Sequence, residues 1–275
     1  MTNQLKLFIL FAAIWIVLAI IFSINDLEIS IRFANQNSGW AKFLENYGMI
    51  PGLIVILSGI FINYSCLSRR IDLWSYIKKA VFFLASTGIL WYLADVVLNN
   101  PNGKNFIEDH FIISLIASFI INLIILLILQ IKSPVQNLLA INYSKVVLGM
   151  TFFGYVICIQ VVKTFWGRVR FRDLDALYSH FTPWYLPQGI TGFDSFPSGH
   201  AAMGWLLLPI FILFSRKTNL TKYFVLTLII IWAVVLSLSR VAIGAHYASD
   251  VLFGSFFMIA TFLIFSVKYS AKQKR

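Results

Sequence analysis

Apolar runs separated by short polar or basic stretches make up most of the chain. Eight of them are candidates for helices that cross a hydrocarbon layer: 7–23, 49–66, 80–98, 111–130, 146–162, 200–214, 223–239 and 251–267. The sixth is short unless the Pro-Ser-Gly ahead of it joins the helix. The first is longer than the apolar region of a signal peptide, and "SINDLE" after it offers no small-residue cleavage site, so it reads as a retained anchor. The pattern predicts an all-α polytopic transmembrane bundle of about eight spans. It is read as one integral membrane domain over 1–275, with N-terminal spans in 1–145 and a catalytic part in 146–275.

Composition agrees, since 59% of the residues are hydrophobic and 12% charged, which excludes an ordinary water-soluble globule. The formal net charge of +11 raises the question of nucleic acid. The basic residues, however, form short clusters between apolar runs and no continuous stripe, so no nucleic-acid partner is expected. With the N-terminus in the cytoplasm, most of the 22 Lys and Arg residues fall on the inner side. Lys163, Arg168, Arg170, Arg172 and Arg240 are prominent exceptions, all in outer segments near histidines. Charge that orientation does not explain asks for another job. Short basic loops and the lack of a transit-type peptide point to a bacterial inner membrane, with the site facing the periplasm. Cys66 and Cys158 lie in apolar runs without CxxC spacing and suggest neither a disulfide nor a metal site.

Three clusters carry chemistry. "KTFWGRVRFRD", 163–173, holds four cations that cannot all lie in lipid. They either snorkel at the interface or cradle an anion, because guanidinium binds phosphate through paired hydrogen bonds. In "SFPSGHAAM", 195–203, Pro197 suits a helix start, Ser198 can cap it and Gly199 lets an anion approach the exposed N–H groups. His200 stands on the first turn; an ordinary capped interfacial helix would read the same way. In "SRVAIGAHYASD", 239–250, His246 and Asp250 are spaced to share one helix face. Asp250 can then accept from one imidazole nitrogen and leave the other unprotonated, while Arg240 adds an anion contact.

Together these segments resemble the type 2 phosphatidic acid phosphatase (PAP2) superfamily. Its signature is Lys-x6-Arg-Pro, Pro-Ser-Gly-His and Ser-Arg-x5-His-x3-Asp, matched here by Lys163 and Arg170, by Pro197 to His200, and by Ser239, Arg240, His246 and Asp250. Phe171 stands where the family has proline, which predicts either a looser aim for Arg170 or a shift of part of its role to Arg168 or Arg172. The resemblance implies His246 as nucleophile, Asp250 as its orienter and His200 as general acid. Lys163, Arg170, Ser198, Gly199 and Arg240 would hold phosphate oxygens, with Arg168 and Arg172 as additional contacts. The helices ahead of the signature exceed a six-helix family core, so no role is carried onto them.

No carboxylate cluster suited to Mg²⁺ accompanies the cations, so neither a metal nor another cofactor is expected. The implied substrate is a phosphorylated lipid: undecaprenyl diphosphate, a lipid A phosphate, phosphatidylglycerophosphate or phosphatidic acid, among which the sequence does not choose. Phosphoryl transfer to an acceptor lipid through the same histidine is one alternative, and a nonenzymatic lipid transporter is another. Membrane lipids are the only other partners expected, with no obligate protein partner. His110 and His180 read as surface residues. Trp166, Trp184, Tyr185 and Trp205 read as an interfacial belt, with a head-group rim as the second choice.

Overall fold

The computed structural model describes residues 3–67, 70–98, 110–132 and 134–270, and every regular element among them is helical. In chain order these are α1 (Asn3–Phe33), α2 (Gly39–Tyr47), α3 (Ile50–Leu67), α4 (Leu73–Leu98) and α5 (Phe111–Ile131). Next, α6 (Leu138–Gly149) passes through a π-helical stretch (Met150–Val161) into α7 (Val162–Trp166). The C-terminal part holds α8 (Gly199–Trp205), α9 (Ile210–Leu213), α10 (Asn219–Ala242) and α11 (Ala248–Ser270).

Among the described residues, seven helical stretches are long and apolar enough to span a membrane, which makes this an integral membrane protein. They correspond to every predicted run except the sixth. That run is the shorter broken helix Gly199–Leu213, interrupted before Pro209, where an interior proline cannot continue the ladder. It still traverses the bundle, because α8 packs on α10 and α11 while α9 packs on α6 at the opposite end. Short length is tolerated because the segment is internal: Ala201, Ala202, Met203 and Leu206 are almost wholly enclosed.

The core joins Leu53, Ile56 and Ile60 of α3 to Val146, Val147 and Met150, with Leu206, Ile229 and Met258 from the C-terminal helices. The outward faces remain apolar, as at Ile112, Ile116 and Ile120 of α5, since lipid is as good a solvent for them as the core. Polar side chains join the peripheral pair: Asn122 of α5 donates to Thr87 Oγ1 (2.8 Å) and accepts from Ser86 Oγ (3.0 Å) of α4.

Two features bear on the site. The nine-residue α2, which the span pattern did not predict, buries Ala41 and Leu44 and lies against α10. It carries Glu45 to the same end of the bundle as the C-terminus of α10. Two residues of the expected aromatic belt, Trp166 and Trp184, pack inward instead. Trp166 and Trp184 stack around Phe196 and Phe253, with centroids 4.6 Å (Trp166–Phe196) and 4.4 Å (Trp184–Phe253) apart. Their indole N–H groups go to backbone carbonyls of Trp184 (2.8 Å) and Ala19 (3.2 Å). This cluster packs Phe196, the residue before Pro197, against Phe253 of α11 and Ala19 of α1.

Candidate active site

Lys163 sits on α7, Arg170 precedes a 3₁₀ turn (Phe171–Asp173) and Arg172 lies within it. Arg172 N donates to Gly244 O at 2.9 Å, which ties the first sequence cluster to the third. Gly244 has φ +71°, a left-handed turn that carries the chain out of α10. A Cβ there would stand 3.2 Å from the Phe171 ring, itself stacked on Tyr178 at 5.8 Å. Phe171 therefore fills space against the turn, and the backbone tether holds the segment in place of the proline. The turn also corrects the helical placement expected for His246. His246 lies before α11 begins, and Asp250 occupies the first turn of that helix.

Lys163, Arg170, Arg172, Arg240, Gly199, His200 and His246 line one cavity of about 260 Å³, together with Glu45, Met49, Tyr155, Gln160 and Asp194. Three of the expected site residues stand behind its wall. Ser198 is fully buried as N-cap of α8, its Oγ accepting from Ala201 N (3.4 Å) and its N donating to Asp250 O (2.9 Å). Asp250 and Arg168 are fully buried as well. Arg168 does not reach the cavity because its donors are already engaged: Nε to Thr182 O (2.8 Å), Nη1 to Asp250 Oδ1 (2.5 Å) and Nη2 to Asp26 Oδ2 (2.9 Å). Its guanidinium also covers the Tyr247 ring at 3.9 Å. It braces Asp250 and α1 from the inside.

Two carboxylates divide the cavity cations into pairs. Asp194 takes Lys163 Nζ (3.2 Å) and Arg170 Nη2 (2.6 Å), while Glu45 Oε1 takes Arg172 Nη1 (2.9 Å) and Arg240 Nη2 (3.0 Å). Burial by itself would raise the Asp194 carboxyl, but Lys163 and Arg170 outweigh it and hold its pKa below the usual range. Arg240 is 3% exposed, yet its Nε and Nη1 have no hydrogen-bond partner among the described residues, and neither has Arg170 Nε. Buried donors without acceptors are costly unless they serve a ligand, and an anion in this cavity would satisfy them.

The two histidines differ. His246 Nδ1 lies 2.7 Å from Ser195 O, and a carbonyl can only accept, so Nδ1 carries the proton and Nε2 the lone pair. Burial lowers its pKa from 6.5 to about 4, so the ring is neutral near pH 7. Asp250 Oδ2 stands 3.6 Å from the same Nδ1, longer than a hydrogen bond. That oxygen instead accepts from Ser195 Oγ (2.5 Å) and Tyr247 N (3.0 Å). Asp250 thus positions the two residues that bracket the imidazole, and the Ser195 carbonyl sets its tautomer. His200 Nε2 lies 3.0 Å from Glu45 O, so that nitrogen is likewise a donor.

Sequence reasoning missed Glu45, Asp26, Asp194 and Ser195. Asp194 and Ser195 adjoin the Pro-Ser-Gly-His motif, and an acidic residue among that many cations was a usable signal. Asp26 and Glu45 had none: their partners Arg168 and Arg240 lie 142 and 195 residues away. His110 and His180 lie outside the cavity lining.

A family model described as PAP2 superfamily matches residues 142–274. No curated protein and no solved structure matches the chain.

Proposed function

Since the chain belongs to the PAP2 superfamily through residues 142–274, we propose that it is a membrane lipid phosphatase acting through a phosphohistidine. Membership makes it a phosphatase of phosphoric esters, and its spans make it an integral membrane protein. The observation that supports the finer reading is the convergence of His200 and His246 with four cations on one cavity at one end of the bundle.

In this reading the phosphoryl group enters among Lys163, Arg170, Arg172 and Arg240, and the unpartnered nitrogens of Arg240 and Arg170 take its oxygens. His246 Nε2 attacks phosphorus, forming the N–P bond as the P–O bond to the lipid breaks. His200 gives a proton to the departing oxygen. Because its Nε2–H rests on Glu45 O, that proton comes from the other ring nitrogen, which requires the imidazolium favoured by a neighbouring phosphate. In the second half a water oxygen attacks phosphorus, its proton returns to His200, and Nε2 leaves with its lone pair. The cations supply the charge stabilisation a metal would otherwise give, so turnover is expected in excess chelator.

A phosphate held in the cavity would leave a lipid tail free to run along the apolar exterior, which supports a phosphorylated lipid as substrate: phosphatidic acid, phosphatidylglycerophosphate, undecaprenyl diphosphate or a lipid A phosphate. The positive-inside distribution favours an outward-facing site in a bacterial inner membrane. The test is phosphate release by purified protein from that panel, with acid-labile, alkali-stable phosphate trapped on the chain. Turnover by His246→Ala at the wild-type rate would refute the nucleophile, and inertness on the whole panel would refute the substrate class.

A further inference from the structure

Glu45 lies on α2, outside the family-matched residues 142–274, and neither the sequence motifs nor the mechanism above gives its carboxylate a task. Yet it touches three groups of the site. Its Oε1 receives Arg172 Nη1 at 2.9 Å and Arg240 Nη2 at 3.0 Å, and its main-chain oxygen stands 3.0 Å from His200 Nε2. A single residue of the N-terminal segment therefore joins the turn after α7, the end of α10 and the start of α8.

The carboxylate could stand in the place of phosphate or could aim the cations that receive it. Arg240 decides between these. Glu45 engages only Nη2, while Nε and Nη1 remain buried without a hydrogen-bond partner among the described residues. A plug would occupy the donors facing the ligand, whereas an aiming contact holds one corner of the planar guanidinium and leaves the rest. Sharing one oxygen between two arginines also keeps both at a fixed separation that their mutual repulsion would otherwise widen.

Resting on the phosphatase reading above, we propose that Glu45 is a positioning residue. It fixes Arg172 and Arg240 for the transition state of phosphoryl transfer and thereby makes the N-terminal segment part of the site. Removing it adds net positive charge to the cavity, so ground-state anion binding does not weaken. What is lost is the fixed orientation that matters as charge redistributes, and such losses run to about 10²-fold in rate.

The experiment measures kcat and KM for lipid-phosphate hydrolysis by the full-length protein in detergent, for wild type, Glu45→Ala and Glu45→Gln, with thermal unfolding of each. Glu45→Ala is expected to lose about 10²-fold in kcat with KM within about threefold of wild type or lower. Glu45→Gln keeps side-chain volume and the shared acceptor oxygen, so it is expected to retain at least about ten times the Ala variant's kcat. If the Ala variant does not fold, Gln against wild type carries the test, with a loss of no more than about tenfold in kcat expected. In an Arg240→Ala background, Glu45→Ala is expected to cost no more than about tenfold instead of about 10²-fold, because one of the two arginines it positions is already gone.

A Glu45→Ala kcat within about threefold of wild type, a folded Gln variant as poor as Ala or more than about tenfold below wild type, or full additivity with Arg240→Ala would overturn the role while leaving the phosphatase intact. A wild-type protein inert on every lipid phosphate would overturn the function on which the role rests.

Discussion

Gly254 of α11 faces the backbone of the Pro-Ser-Gly-His segment, and Gly254→Ala tests whether that close approach sets the catalytic geometry. A Cβ at residue 254 would stand 2.5 Å from Ser198 O, 3.3 Å from its C and 3.4 Å from its N. These are backbone atoms, so no flexible side chain can swing away. Either α11 or Ser198 must retreat by roughly 0.5 Å or more to reach a normal contact. Ser198 caps α8 and precedes Gly199 and His200, so the displacement passes into the cavity wall. Overpacking of this kind costs about 1–3 kcal/mol. Misplacing a catalytic group by about 1 Å costs up to about 10²-fold, so a loss of about 10- to 100-fold in kcat/KM is expected. Gly88→Ala is the matched control: it is a helical glycine of α4 with nothing within 4 Å of an added Cβ, and alanine there is expected to be neutral or slightly stabilising. Thermal unfolding in detergent and phosphate release measure both effects. Equal behaviour of the two variants would refute the claim that α11 and Ser198 fix His200 by contact.

Asp26→Asn leaves the buried Arg168 with one carboxylate fewer and is expected to cost about 3–5 kcal/mol; an unchanged unfolding temperature would refute the bracing role. His246 is expected to titrate at about 4 in the ligand-free protein, read by NMR of the labelled imidazole. Because its folded pKa lies below the ordinary 6.5, its contribution to stability is complete above 6.5 and is lost as pH falls towards 4. A ring titrating near 6.5 would contradict its burial in a neutral form. His200→Ala and His246→Ala should both lower hydrolysis by orders of magnitude, but an aryl phosphate with a very good leaving group should partly rescue only the first. Equal rescue of both would remove the acid assignment.

The sequence by itself determined the class of protein, the seven long spans and the three segments that meet at one end of the bundle. Each of these signals is local: apolar length suffices for a span, and Lys163, Arg170, His200, Arg240 and His246 sit in motifs of fixed short spacing. The parity of the crossings then brought those motifs to one face. Tertiary structure decided which polar groups face the cavity and which stand behind it. Arg168 and Arg170 are two residues apart, yet one is sealed between Asp26 and Asp250 while the other lines the site. Periodicity could not separate them, because they fall where the helix has already ended. Nor could it give work to Asp26 and Glu45, isolated acids at the membrane edge whose partners come from far along the chain. Burying a cation without a counter-charge is costly enough that such partners must exist, but only packing shows which acid supplies the charge.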